Sequence, residues 1–299
     1  MPNRTAVLAP PAQPIVQPMA QSVAARAGAY LYLYAIVAAQ SLTTIPQPGL
    51  DPSQPVYLLG DGPVQALVSR VPAADFTEEQ IAAGLQEITW IETYVRAHQR
   101  VLDQVVASGQ TLLPLRFCTI YRDEATVQTL LAARASALLA ELARLEHKLE
   151  WGVKLSIALP PLQEAIMNGQ VAVADQAVDQ EIRTLRQRMA GVATGAAFLY
   201  KKKLETLVAT HADAYAFALA DESHAHLARY GVAAVTNALP PACPDLRLSA
   251  AYLVALPHVA AFRQAVEALA EAYLALGFQY EVSGPWPPYN FLTLTFDAD

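Results

Sequence analysis

The chain has 299 residues, 54% of them hydrophobic and only 16% charged, with a formal net charge of −7 and a pI near 5.4. That length suits two domains better than one core, and the acidic balance argues against a partner gripped by its phosphates, whether nucleic acid or an anionic bilayer. Its two cysteines, Cys118 and Cys243, lie far apart with no CxxC spacing, which argues against a disulfide framework or a zinc site and fits a reduced, cytoplasmic setting.

Residues 1–28 are rich in Pro, Ala and Gln, with Arg4 and Arg26 their only charged side chains. Prolines at 10, 11, 14 and 18 would break the apolar helix of a secretory signal, so this segment reads as a flexible tail. The dense apolar run from Ala29 to Ala39 is too short to cross a bilayer. Its aromatic and β-branched content predicts a strand instead.

A first α+β domain is predicted over 29–149. After YLYLYAIV come VYLL and VQALVSRV around Gly60-Asp61-Gly62-Pro63, a hairpin signal. Thr77 with Gln80 makes a capping-box pattern, and Ile81, Leu85, Ile88, Val95, Leu102 and Val106 predict one helix. LLPLRFCTIY reads as a single strand with Leu113, Leu115, Phe117 and Thr119 on one face. Asp123 then caps a helix striped by Val127, Leu131, Leu138, Leu142, Leu145 and Leu149.

A second domain is predicted over 150–284. WGVKLSIAL is a strand with Val153, Leu155, Ile157 and Leu159 inward, and PPLQEAIMNGQ follows as a short insertion. Glu181 to Tyr230 is helical, with a break at Gly191 and Gly195. GVAAVTNAL and LRLSAAYLVAL are strands, the latter with Leu246, Leu248, Tyr252, Val254 and Leu256 alternating. A helix striped by Val259, Phe262, Val266, Leu269, Tyr273 and Leu276 closes at Gly277, and FQYEV is the last strand. The order β-α-β-β-α-β is that of the ferredoxin-like plan, so the fold class is α+β with a ferredoxin-like (βαββαβ) second domain.

Candidate chemistry is sparse. GVATGAAFLYKKK resembles a phosphate loop only superficially, because Gly195 is followed by Ala196 and the lysines come turns later. In DESHAH, His224 and His226 are two apart on a helix and cannot face one ion, while Asp221 and His224 lack a third ligand. His98, between Tyr94 and Leu102 at helical spacing, reads as a packed, hydrogen-bonded residue, and no nucleophile accompanies it. Arg116 reads as a guanidinium, buried or interfacial, whose first reading is a structural pair and whose second is a ligand contact. The second unit has nothing like the RNP1 pattern of RNA-binding sheets, and the chain is acidic, which argues against RNA binding. These residues predict no catalytic, cofactor-binding or metal site.

Several stretches together resemble the gas vesicle protein F/L family: YLYAIV, RAHQRVLDQVV followed by LLPLRFCTIYRDEATV, LEWGVKL, the Gly195 helix with FLYKKK, AAYLVAL and the closing GPWPPYNF. They run in order from about residue 30 to 296, with Cys118 standing where a small residue such as glycine is expected. The resemblance implies a non-enzymatic accessory protein of two α+β domains that is cytoplasmic and associated with the gas vesicle. It implies as partners the hydrophobic major shell protein, whose aggregation it would limit during nucleation, and other accessory proteins, with neither nucleic acid nor lipid membrane. An unassembled apolar subunit could be held at a sheet edge or in a helix-binding groove. The rival class is a small-molecule-binding enzyme or regulator using an inter-domain cleft.

In the last segment, 285–299, Pro285, Pro287 and Pro288 predict a stiff, extended path beyond the last strand. Trp286, Tyr289 and Phe291 are thereby free to fill a crevice, which reads as a strap across the molecule's own domains; a partner-binding peg is the alternative. Arg116, Trp286, Pro287, Tyr289 and Phe291 are the candidate structural or partner-contact residues.

Overall fold

The computed structural model describes residues 28–171, 176–189 and 194–294. They fall into two compact units, Met1–Glu150 with Pro285–Asp299 and Trp151–Gly284.

The first unit is built on β1 (Ala29–Ala38), buried without interruption from Leu31 to Val37. A strand with no solvent face needs cover on both sides, and β1 contacts both α2 (Ile88–Ala107) and α3 (Glu124–Leu145). It pairs antiparallel with β3 (Val64–Pro72), which pairs with β2 (Val56–Leu59) across a turn where Gly60 takes a φ of 121°. On its other edge β1 pairs with β4 (Leu112–Pro114) and β5 (Ile120–Tyr121).

The predicted single strand over LLPLRFCTIY is thus two. After Leu115 donates its N–H to Tyr34, the chain turns out through Arg116–Cys118 and returns with the Leu33 N–H bonded to the Thr119 carbonyl. Cys118 sits at a φ of 65°, the left-handed region where a Cβ is strained, so the physical basis for glycine at this position is the turn itself. The predicted long helix is also two: α1 (Glu78–Gly84), capped by Thr77, ends where a Cβ on Gly84 would lie 2.5 Å from the Trp90 ring, and α2 starts four residues on. Asp123 caps α3 by accepting the Thr126 N–H at 2.8 Å, and the buried stripe runs to Leu145; Leu149 lies beyond it in β6.

In the second unit the sheet order is β7-β8-β6-β9, from β7 (Ala233–Thr236), β8 (Leu246–Ala255), β6 (Lys148–Ile157) and β9 (Phe278–Trp286). Val153, Leu155 and Ile157 of β6 are buried, but Leu159 opens α4 (Leu159–Met167), whose first turn accommodates the prolines that follow it. PPLQEAIMNGQ is therefore largely helix. Two further helices, α5 (Gln176–Met189) and α6 (Thr194–Ala228), contact each other. Gly191 of the expected break lies outside the described residues, and Gly195 is already in the first turn of α6.

β8 packs under α6 and α7 (Val259–Tyr273), where Tyr252 meets both His224 and Phe262, and a continuous buried run from Ala250 to Val254 replaces its predicted strict alternation. Leu256 falls in the following 3-10 turn, 48% exposed. β9 continues past Val282 to include Pro285 and Trp286, so neither lies beyond the last strand. No helix among the described residues is long and apolar enough to cross a membrane.

Gly277 joins α7 to β9 at a φ of 87°, and its carbonyl accepts the Ala158 N–H at 2.9 Å. A Cβ there would stand 2.3 Å from the Ala158 carbonyl oxygen. Gly277→Ala is expected to destabilise by at least about 2 kcal/mol, read as a lowered urea midpoint with an unchanged slope; an unchanged midpoint would refute this account of the turn.

Candidate functional site

The densest polar arrangement in the first unit surrounds His98. α2 carries it on its buried face beside Val101, Leu102 and Val105, and those residues share one apolar cluster with Tyr32, Tyr34 and Val37 of β1. Alternation along β1 sends Tyr32 and Tyr34 to the same face as each other. His98 Nδ1 lies 2.8 Å from the Tyr32 hydroxyl and Nε2 lies 3.0 Å from the Tyr289 hydroxyl. A neutral imidazole has one donor and one acceptor, so the two phenols satisfy it completely. Its ring stacks on Tyr34 at 5.7 Å and 26° and meets Phe117 edge-on at 6.0 Å.

Burial pushes the His98 pKa down to about 3, only partly opposed by the Leu115 backbone, so the ring is neutral at physiological pH. Burial likewise raises Tyr32 and Tyr289 and drives the Cys118 thiol up to about 12. Neither a base near neutrality nor a thiolate results. The Tyr32 hydroxyl accepts the Cys118 N–H at 3.1 Å, which ties the left-handed turn to the same knot.

The chain around Tyr289 is fastened at three further points. Glu141 of α3, 4% exposed, takes a bidentate pair from Arg144 at 2.8 and 2.7 Å and accepts the Thr293 N–H at 2.7 Å and its hydroxyl at 3.0 Å. Arg144 also donates to the Phe291 carbonyl. Glu150, 3% exposed, accepts the Asn290 N–H at 3.0 Å and its side-chain amide at 2.6 Å. The two carboxyls contrast. Arg144 holds Glu141 down to about 2, whereas Glu150 has neutral amides and its pKa rises by burial to about 7.

Of the candidate residues, Pro287 and Phe291 are buried, Tyr289 is half-buried with its hydroxyl on His98, and Trp286 is half-buried. All of them belong to the first unit. Arg116 is exposed rather than buried; its carbonyl, accepting the Thr119 N–H and hydroxyl, is the part that shapes the turn. Glu141, Arg144 and Glu150 were not legible as site residues, since each reads as an ordinary helix or strand charge until a segment about 140 residues away lies on it.

The remaining motifs are absorbed structurally. His224 Nδ1 bonds the Tyr252 hydroxyl at 2.9 Å and His226 Nδ1 the Arg229 guanidinium at 2.6 Å. Among the described residues no group of three or more His, Cys, Asp and Glu is placed to hold a metal ion. Lys203 pairs with Glu181 at 2.6 Å.

A family model described as "Gas vesicle synthesis protein GvpL/GvpF" matches residues 30–293. Gas vesicle protein L of Streptomyces sp. (strain CB03234) is 29% identical over 80% of this chain and 83% of its own length. Gas vesicle protein F of the same organism is 31% identical over 81% and 90%. The crystal structure of the gas vesicle protein GvpF from Anabaena sp. PCC7120 superposes with a TM-score of 0.64 at 21% identity, over 90% of this chain and all (100%) of that one. The likeness in structure is one of fold.

Two substitutions test the site. Tyr289→Phe leaves one His98 nitrogen without its partner and is expected to lower stability by about 1–3 kcal/mol in denaturant melts; no loss would mean water replaces the phenol freely. Because the Glu150 pKa is raised on folding, its contribution is fully present below about 4.5 and is lost as pH rises through about 7. Glu150→Gln should therefore gain on the native protein between pH 5 and pH 8, by up to about 3 kcal/mol in the difference of unfolding free energies, and parallel pH profiles would contradict this.

Proposed function

The chain belongs to the GvpL/GvpF family of gas vesicle synthesis proteins, and from that membership we propose that it is an accessory protein that binds the hydrophobic major shell protein and supports vesicle nucleation. The observation that carries the reading is the family match across residues 30–293. A second support is what the buried reactive groups do: His98 spends both nitrogens on phenols, and Cys118 is held as a thiol. Such groups favour a binding role with no chemical step of its own.

The work then rests on surface complementarity. A shell subunit exposes apolar area before it assembles, and a folded protein with isolated apolar side chains at its surface can cover that area without aggregating itself. Ile88 at 76% exposed and Val232 at 58% are such positions. The order β7-β8-β6-β9 supports reading the second unit as ferredoxin-like, with α4 to α6 filling its first crossover. Pro287, Tyr289 and Phe291 serve as a strap that keeps the first unit rigid, and exposed Arg116 serves as a partner contact.

Affinity-tagged full-length chain, expressed with the shell protein, is expected to retain it through washing and to keep it soluble. Failure to retain the shell protein, together with stoichiometric binding of a nucleotide or metal, would replace this reading with the small-molecule one.

A further inference from the structure

The stretch from Ile182 to Leu204 holds Arg183, Arg186, Arg188 and Lys201 to Lys203 without a single acidic residue, in a chain of net charge −7. Some of that charge is already used: Arg183 pairs with Asp179, Lys203 with Glu181 and Lys201 with Glu205. Lys202 is exposed, and on α6 it follows Leu199 by three residues and Phe198 by four, so the three share one face. Phe198 and Leu199 are 66% and 68% exposed. An apolar pair that open, beside a cation, is a partner-seeking surface.

The same unit carries its chemical complement. On α7 and the turn after it, Glu267, Glu271 and Leu274 recur at steps of four and three along one face; both glutamates are exposed and Leu274 is 66% exposed. Leu199 and Lys202 are three residues apart, as are Leu274 and Glu271. If the helices run antiparallel, Leu199 meets Leu274 while Lys202 meets Glu271, and Thr206 falls opposite Glu267. Antiparallel packing also sets the helix dipoles head to tail.

We infer that these two faces bind each other between copies of this chain, α6 of one molecule against α7 of the next. Because the patches differ, the contact is heterologous: the bound pair still presents one free face of each kind, one on each molecule, and association continues into a short chain or ring. The patches are small, so a single contact is weak and gains strength only when several molecules are held together. An anionic bilayer is the poorer occupant, since Arg183, Lys201 and Lys203 of the basic stretch are already paired with acids and this chain is acidic overall. The inference stands independently of shell-protein binding.

Sedimentation equilibrium of the full-length chain at rising concentration and low salt tests it, with circular dichroism confirming that each variant is folded. The wild type is expected to show reversible, salt-sensitive association beyond a dimer. Lys202→Glu and Glu271→Lys should each weaken it about tenfold, Leu199→Ser likewise, and the Lys202→Glu/Glu271→Lys double variant should recover to within about threefold of wild type. A strictly monomeric wild type overturns the inference. So does association untouched by all three substitutions, or a double variant no better than the singles. Recruitment to phosphatidylglycerol vesicles by a chain that stays monomeric in solution overturns it too, and assigns the basic face to lipid.

Discussion

One uncharged imidazole organises the first unit. His98 lies in an apolar cluster where an ionised ring would be heavily penalised, and it is tolerated because each nitrogen meets a phenol. One phenol comes from the central strand, the other from a segment 191 residues further along the chain. Tyr32 in turn accepts the N–H of Cys118, so the left-handed turn that splits β4 from β5 is fixed by the same group. Strand, helix, turn and C-terminal segment are therefore held at a single buried point, and loosening any one leaves a polar atom unpartnered in the others.

The two buried carboxylates nearby follow the same logic with different partners. Glu141 has a guanidinium and stays ionised; Glu150 has only amides and sits near its titration point at neutral pH. Both accept hydrogen bonds from residues 290 to 293, Glu141 while also paired with Arg144. In the second unit His224 and Ser223 are used alike, bonded to the hydroxyls of Tyr252 and Tyr280. In each case the polar group is consumed in fixing structure.

Much of the architecture was legible in local chemistry. Apolar periodicity marked β1, β6, β8 and α7, and capping residues Thr77 and Asp123 located two helix starts. What failed did so where a tertiary contact overrides a local pattern. The helix expected to run from Ile81 to Val106 breaks because Trp90 needs the space over Gly84; LLPLRFCTIY breaks because Cys118 must turn its N–H inward to Tyr32. Arg116 reads from the sequence as a buried or interfacial guanidinium, and the turn carries it to the surface. The character of His98 could be read from Tyr94 and Leu102, but its second partner, Tyr289, could not, because no local rule links α2 to the far end of the chain. Glu141 and Glu150 were hidden for the same reason.

The account depends on His98 staying neutral and doubly bonded inside the folded protein. Long-range nitrogen–proton NMR of the ¹⁵N-labelled imidazole, followed from pH 8 down to pH 4.5, tests this directly. One tautomer, with one protonated and one bare nitrogen, should persist across the range while the fold is retained. Formation of an imidazolium with a midpoint near the ordinary histidine value, in a protein that is still folded, would contradict it.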